Sequence, residues 1–349
     1  MSQSLLLSFC LLALSFSVIQ SQNNPHPPPV FKINLDLPPS ERFKEVVLAK
    51  KPQIQALLQI LLNETNVPQF LFSVIGFYEE LVYQHHECYE ELQGIAKYSE
   101  LSFGEVFLVN FIYEILASCT SIVTVDQNGN VIHGRNLDYP FQPYLANLTV
   151  HYQFYKNGSM LYEGDGDAGF LGIVTGLRKG GFGISINERD KGGPLSTIYE
   201  IMFRRTFSVP YYIRRVLETA ENFETAVKML SSEEFGAPCY LTVSGVNKNE
   251  GVVITRDRRG VYNVSQIDFD SQDQWFLVQT NYDRDVPDPT SDFRRVPAEQ
   301  RMRSIGRNSM SLDSLYNSVM NLEPNKRYNT ITTSVMCPKT GDFNTTVWF

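Results

Sequence analysis

The spacing of apolar positions changes character near residue 119. Upstream, apolar side chains recur every three to four residues, the period of a helix with one buried face. Phe43, Val46, Val47 and Leu48 form one such stripe, with Ser40 placed to cap a helix and Glu41 in its first turn. Lys51 to Leu62 continues it through Ile54, Leu57, Leu58, Ile60 and Leu61. Pro68 to Tyr83 is a third and unusually apolar helical segment. Leu101 to Ser118 is a fourth, carrying Phe107, Leu108, Phe111, Ile112 and Leu116. Ahead of them, Asn23 to Pro39 is rich in proline and reads as an extended lead-in.

From Cys119 onward, hairpin signals replace the helical period. Ser121–Val125 and Val131–His133 flank Gln127-Asn128-Gly129-Asn130, and Asn-Gly is the strongest short hairpin signal. Leu148–Tyr155 and Ser159–Tyr162 flank Lys156-Asn157-Gly158, and Phe170–Thr175 and Phe182–Asn187 flank a turn at Gly180-Gly181. Thr197 to Glu234 is helical, broken at Pro210 and near Asn222. Strands follow at 240–244, 252–256, 261–266 and 275–280, then helices at 298–307 and 312–320, then a strand at 330–336. Strands in runs, separated by runs of helices, predict antiparallel sheets with helices on their outer faces rather than a doubly wound parallel sheet.

The first residues add a compartment. Leu5 to Ile19 is apolar, uncharged and followed by polar Gln20–Asn24, the pattern of a secretory leader too short to span a bilayer, with cleavage expected near Ser21. Five sequons, at Asn63, Asn147, Asn157, Asn263 and Asn344, agree with a luminal glycoprotein. A net charge of −8 excludes nucleic acid as the main partner, since a phosphate binder needs a basic footprint. Of five cysteines, Cys10 leaves with the leader. If Cys119 is a free nucleophile, at most one disulfide forms among Cys88, Cys239 and Cys337. No zinc-type spacing occurs, and neighbours in His85-His86-Glu87-Cys88 would point in different directions on a helix, so neither a metal nor a cofactor is expected.

Candidate chemistry gathers where the pattern changes. Cys119-Thr120-Ser121-Ile122-Val123 opens the first strand, and His133-Gly134-Arg135-Asn136-Leu137-Asp138 folds back beside it. A nucleophile thereby has a cation and an anion at hand. Taken singly, Cys119 is an ordinary buried cysteine, Arg135 with Asp138 an ordinary ion pair, and Asn281 a turn residue. The ordered set, continuing through Asn187-Glu188-Arg189-Asp190-Lys191-Gly192, Val253-Ile254-Thr255-Arg256-Asp257-Arg258, Gln279-Thr280-Asn281-Tyr282-Asp283 and Arg294-Arg295, and preceded by Ile33-Asn34-Leu35-Asp36-Leu37-Pro38-Pro39, resembles the acid ceramidase and N-acylethanolamine acid amidase family of N-terminal-nucleophile hydrolases.

That resemblance implies an α+β fold, an αββα sandwich of two antiparallel sheets with an N-terminal helical chain. It divides the sequence into a leader (1–21), a helical α-chain (22–118) and a catalytic β-chain (119–349), the two chains staying associated as a heterodimer after the bond between Ser118 and Cys119 breaks itself. Cys119 then carries both thiol and free α-amine, and the amine serves as base, which leaves His133 a strand residue. Asp138 would hold that amine. Arg135 would favour the thiolate. Asn281 and the backbone near Glu188 would supply oxyanion donors, and Glu188 would position substrate. Arg294 would complete the site, although Asp292-Phe293 stands where relatives carry two acidic residues. Implied substrates are fatty acyl amides, handled in the lysosomal lumen or after secretion, with peripheral association to membranes or lipid vesicles.

Two acyl amides compete. The short stretch from Asp138 to Leu148 and the end near Phe349 resemble the ethanolamide enzymes, the preferred reading. Leu35–Pro39 and Val278–Arg284 look more like ceramidases, and Gly192-Gly193-Pro194 stands where ethanolamide enzymes carry tryptophans. Pro68–Tyr83 could dock on lipid or form a core or dimer-interface helix. A non-catalytic lipid-binding relative and a bile-salt-hydrolase-like enzyme are the remaining alternatives.

Overall fold

The computed structural model describes residues 25–65, 87–112, 118–191, 196, 197, 200, 204, 206 and 208–349, without the side chains at 62–65, 87, 108, 111 and 112. The leader and the segment at 68–83 lie outside those residues.

Strands β2 (Ser118–Val125) and β3 (Val131–Asp138) form the predicted hairpin. Its turn places Gly129 at φ 78°, which glycine adopts without a Cβ clash, and Asp126 Oδ1 accepts from the amides of Asn128 and Asn130. The hairpin is the centre of a five-stranded sheet ordered β11-β2-β3-β12-β13, with β11 at Phe276–Gln279, β12 at Thr330–Cys337 and β13 at Asp342–Val347. A second sheet has eight strands ordered β1-β4-β5-β6-β7-β8-β9-β10. They are Val30–Asn34, Thr149–Lys156, Ser159–Asp167, Thr175–Arg178, Phe182–Glu188, Cys239–Ser244, Gly251–Asp257 and Gly260–Gln266. Every pairing is antiparallel except β1 with β4.

The sheets pack face to face, β2 lying across β7, β8 and β9. Helices α5 (Val209–Thr219) and α6 (Phe223–Ser232) cover the outside of the large sheet, and α7 (Arg295–Ile305) with the turns at 312–320 covers the small one. This is the expected αββα order. It explains why β3 is buried at every position: one face meets the other sheet and the other meets helices. Close approach matters at Gly134, where a Cβ would lie 3.1 Å from Leu315 and Met320 side-chain atoms.

The helical first third comprises α1 (Lys44–Thr65), α2 (Glu87–Ser99) and α3 (Phe103–Ile112), and a short helix α4 (Gln142–Leu148) follows β3. Several expectations change here. The lead-in contains β1, because the parallel edge of β4 pairs with it. Ser40 lies in a 3₁₀ turn (Pro39–Glu41) ahead of α1 and makes no cap bond, and α1 runs through Pro52 as one helix. The polar α2 has no long apolar run to announce it. Ser118, read as the end of a helix, already belongs to β2. Residues 170–174 form a loop, and Pro210 begins α5 rather than breaking it, since the first turn needs no amide donor there. Asn222 is the N-cap of α6, accepting from Thr225 N at 2.9 Å. Cys88, Cys119, Cys239 and Cys337 are all free thiols, the last two held in different sheets. No group of metal-binding side chains occurs among the described residues.

The helical third is bound to the rest by a buried charge cluster. Glu91 of α2, 1% exposed, accepts from Arg214 of α5 through both oxygens at 2.5 and 2.6 Å, and from Arg42 at 3.1 Å. Arg214 also lies 5.2 Å above the Phe43 ring. Removing one partner of such a pair strands the other charge in the interior, at a cost of about 3–5 kcal/mol. Glu91→Gln is therefore expected to lower stability by that order in equilibrium unfolding. A loss below about 1 kcal/mol would class the pair with solvent-exposed bridges.

Candidate active site

Side-chain alternation along β2 and β3 sorts the site. Cys119, Ser121, His133 and Arg135 point between the sheets; Thr120, Asn136 and Asp138 point toward α7 and the 312–320 turns. The evidence is in their partners: Ser121 Oγ and His133 Nε2 each reach Ser185 Oγ of β7 at 2.8 Å, whereas Asn136 Nδ2 donates to Met320 O at 2.8 Å. Arg135 and Asp138 therefore occupy opposite faces and form no ion pair with each other.

On the inner face, Arg135 Nη2 donates to Cys119 Sγ at 2.9 Å, and Nη1 donates to Asn187 Oδ1 at 2.9 Å. The thiol and guanidinium are each 1% exposed. Among the described residues Arg135 has no carboxylate partner, and its Nε makes no hydrogen bond. Asn187, at the end of β7, spans the gap between sheets. Its Oδ1 accepts from Ser121 Oγ at 2.6 Å, and its Nδ2 donates toward Cys119 O, Gln279 O and Thr280 O at 3.3, 2.9 and 3.1 Å.

On the outer face, Asp138 is closed off by Arg294 Nη1 at 2.9 Å and by Thr330 Oγ1 at 2.6 Å. Arg294 also donates through Nε to Asp292 and through Nη2 to Asn281 Oδ1, the latter at 2.8 Å. That same Asn281 oxygen accepts the Cys119 amide at 2.7 Å, while Asn281 Nδ2 donates to Glu188 O at 2.9 Å. Two donors at one atom and an acceptor at the other define the orientation of the Asn281 amide.

Burial raises the Cys119 thiol; Arg135 pulls it down, Asp138 raises it and Arg294 lowers it again, and burial wins. Burial also raises Asp138, against Arg294 and Thr330. Glu188 is pushed up to about 8 by burial and by Asp190, so its carboxyl is neutral in acid. His133 is driven down to about 3 by burial and Arg135, which makes it a neutral strand residue.

Cys119, Arg135, Asp138, Asn281 and Arg294 lie together, joined by these hydrogen bonds. Glu188 joins through its backbone oxygen. Two assigned geometries differ in the intact chain: the Cys119 nitrogen is held by Asn281, not Asp138, and the Asn281 NH₂ faces the Glu188 carbonyl. Asn187 went unassigned, though it adjoins Glu188. Its signal was a polar residue at an inward position of a strand otherwise filled by Phe182, Ile184 and small residues. Of the sequons, Asn147, Asn157, Asn263 and Asn344 are exposed.

The chain is similar to known amide hydrolases along most of its length. A family model for the beta subunit of N-acylethanolamine-hydrolyzing acid amidase matches residues 26–83. One for linear amide C–N hydrolases of the choloylglycine hydrolase family matches residues 119–285, beginning on Cys119 itself. The chain is 36% identical over 315 residues to N-acylethanolamine-hydrolyzing acid amidase of Rattus norvegicus, covering 89% of this chain and 86% of that one. It is 31% identical over 350 residues to acid ceramidase of Pan troglodytes, covering 91% and 86%. Among solved structures it is similar to the Caenorhabditis elegans ortholog of N-acylethanolamine-hydrolyzing acid amidase, at 37% identity and a TM-score of 0.58, over 63% of this chain and 93% of that one.

The histidines test the electrostatics of the two sheets directly. The His133 value lies below the ordinary value near 6.5, so its stabilising neutral form is fully present above that pH and lost as pH falls toward 3. His151 is the reverse. Burial opposes its charge, but Asp165 at 2.9 Å and Glu163 at 3.0 Å raise it to about 9, so its contribution is full below about 6.5 and lost as pH rises through 9. In a ring-carbon NMR titration from pH 4 to 8, neither resonance should show a midpoint. A midpoint for His133 near 6.5 would overturn the buried placement.

Proposed function

The chain belongs to the family of N-acylethanolamine acid amidases and acid ceramidases, hydrolases of linear amide C–N bonds, and we propose that it hydrolyses N-acylethanolamines to fatty acid and ethanolamine after cleaving itself between Ser118 and Cys119. The observation that carries the reading is the surplus cation: Arg135 is buried 2.9 Å from Cys119 Sγ, with no carboxylate partner among the described residues. An unpaired buried cation is costly, and the thiolate is the anion that relieves it.

In self-cleavage the Cys119 thiol attacks the Ser118 carbonyl carbon and the C–N bond breaks, the departing Cys119 nitrogen taking the thiol proton, so that the amide becomes a thioester. Water then releases the upstream chain as a carboxylate and returns the thiol. Cys119 keeps a free amine where its amide now stands, 2.7 Å from Asn281 Oδ1. The amine can take the thiol proton, since unperturbed values for an α-amine and a thiol lie close together and Arg135 offsets part of what burial adds to the thiol. Substrate turnover repeats the chemistry: Sγ attacks the acyl carbon, the leaving ethanolamine takes the proton, and water hydrolyses the thioester. Arg135 steadies the charge on sulfur. Asp138 acts at one remove, holding Arg294, which with the amine fixes Asn281.

The chain from 22 to 118 remains as a partner of 119–349, supported by β1 in the large sheet and by the Glu91–Arg214 pair. The lysosomal lumen is the proposed site of action, from the leader and the named relatives. No described helix is long and apolar enough to cross a membrane, and lipid substrate would be met at a membrane or vesicle surface. Acid ceramidase activity is the second reading, favoured by the relative at 31% identity over 350 residues.

Protein purified and held at about pH 5 should yield two fragments, the second starting Cys-Thr-Ser, and should turn over palmitoylethanolamide faster than ceramide. Cys119→Ala should remain one chain and be inactive. Arg135→Ala should reduce kcat by on the order of 10²–10³, the scale of removing one preorganised charge-stabilising group. Cleavage of the Cys119→Ala chain at the same bond would sink the proposal, and a faster rate on ceramide would select the second reading.

A further inference from the structure

Resting on the amidase reading, we infer that Asp283, gripped by Arg189, is a positioning residue for the reaction: the pair sets Asn281 against the Cys119 nitrogen. Asn281 lies just beyond Gln279, where β11 ends, so no strand ladder fixes its place. Side chains must do so. On one side stand Arg294, which donates to Asn281 Oδ1 at 2.8 Å, and Asp292, which accepts from Asn281 N at 3.4 Å. The other side is held from the end of β7. Asn187 binds the carbonyls of Gln279 and Thr280, and Glu188 O accepts from Asn281 Nδ2 at 2.9 Å. Arg189 then takes the Asp283 carboxylate with two prongs, Nε to Oδ1 at 2.7 Å and Nη2 to Oδ2 at 3.0 Å. Three successive residues from one sheet thus bracket Asn281 between 279 and 283.

The grip is built to be rigid. Two parallel N–H···O bonds fix angle as well as distance, which a point charge does not. Arg189 is 2% exposed, lies 4.6 Å from the centre of the Tyr262 ring, and donates through Nη1 to Asp257 Oδ1 at 2.6 Å. Asp283 receives two further donors, Tyr240 Oη and Lys191 Nζ, each at 2.8 Å. Burial opposes the charge on Asp283, but the hydrogen bonds from Arg189, Lys191 and Tyr240 outweigh it and hold the carboxyl well below the usual carboxylate range. The pair therefore stays charged in acid. Its influence passes along the backbone from Asp283 to Asn281, two residues away, and through the Asn281 oxygen to the Cys119 nitrogen at 2.7 Å. A reacting group misplaced by about 1 Å can lose on the order of 10² in rate.

The test is steady-state kinetics of processed enzyme on palmitoylethanolamide at about pH 5, beside thermal unfolding of each variant. Asp283→Asn, which keeps the shape but not the charged grip, should lower kcat about tenfold or more while KM moves by less than about threefold, since the loss falls on the step in which the Cys119 nitrogen takes part. Arg189→Ala should lose as much, and Arg189→Lys, which restores the charge but not the fork, should recover part of that loss. Self-cleavage, which needs no added substrate, should slow in the same order. An unchanged kcat in folded Asp283→Asn, or a KM that rises while kcat holds, overturns the inference. Should Asp283→Asn fail to fold, Arg189→Lys decides: a lower kcat at unchanged KM supports the inference, and failure to fold or an unchanged kcat overturns it. In all these outcomes a wild-type enzyme that turns over the amide leaves the amidase reading intact. Wild-type protein that hydrolyses neither palmitoylethanolamide nor ceramide overturns that reading and the inference with it.

Discussion

A guanidinium buried between two sheets, with no carboxylate partner among the described residues, is the constraint around which this molecule is arranged. Arg135 cannot reach water and cannot reach Asp138, which the strand's alternation turns to the opposite face. Its hydrogen bonds go to a thiol and to one amide oxygen. Such a charge persists only if the rest of the structure holds it in place, and the surroundings do. Asn187 ties it to the large sheet while binding three carbonyls from β2 and the end of β11. Gly134 lets the covering turns close against β3 directly beside it.

The two faces of the small sheet then divide the electrostatic work. The inner face carries an excess positive charge next to sulfur. The outer face neutralises itself, with Arg294 between Asp138 and Asp292. Asn281 is the link, because Arg294 fixes its oxygen and that oxygen holds the nitrogen of Cys119. In the intact chain the link meets an ordinary amide, which has no basic lone pair, and burial keeps the neighbouring thiol protonated. The intact site is assembled but lacks its base.

What the sequence disclosed follows from where physical signals are local. The hairpin was legible because Asn128-Gly129 and period-two burial act over a few residues, and Cys119 stood out because it marks the change of period. Features that depend on distant partners were not. β1 is a strand only because β4 offers a parallel edge, and its burial pattern has just one buried residue in five. Helix α2 exposes too many polar positions to show a stripe, and its Glu91 makes sense only against Arg214, 123 residues away. Asn187 reads as one polar letter until the second sheet is laid over it. The opposite faces of Arg135 and Asp138 were available from their odd spacing, yet the eye pairs opposite charges that stand three residues apart.

The proposed cut before Cys119 would leave in place the described contacts that join the two parts of the chain. Residues upstream of the bond are held to the rest by the β1–β4 ladder, by Glu91 paired with Arg214, and by Ile54 against Gly169. None of these contacts involves the bond that breaks. The proposed change is confined to one nitrogen, which would pass from amide to amine within reach of the same Asn281 oxygen. An amine can take a proton from the adjacent thiol, and Arg135 is already in position to hold the resulting sulfur anion. On the proposed reading, a sulfur that acts once on its own chain would thereby gain the base it needs for repeated turnover.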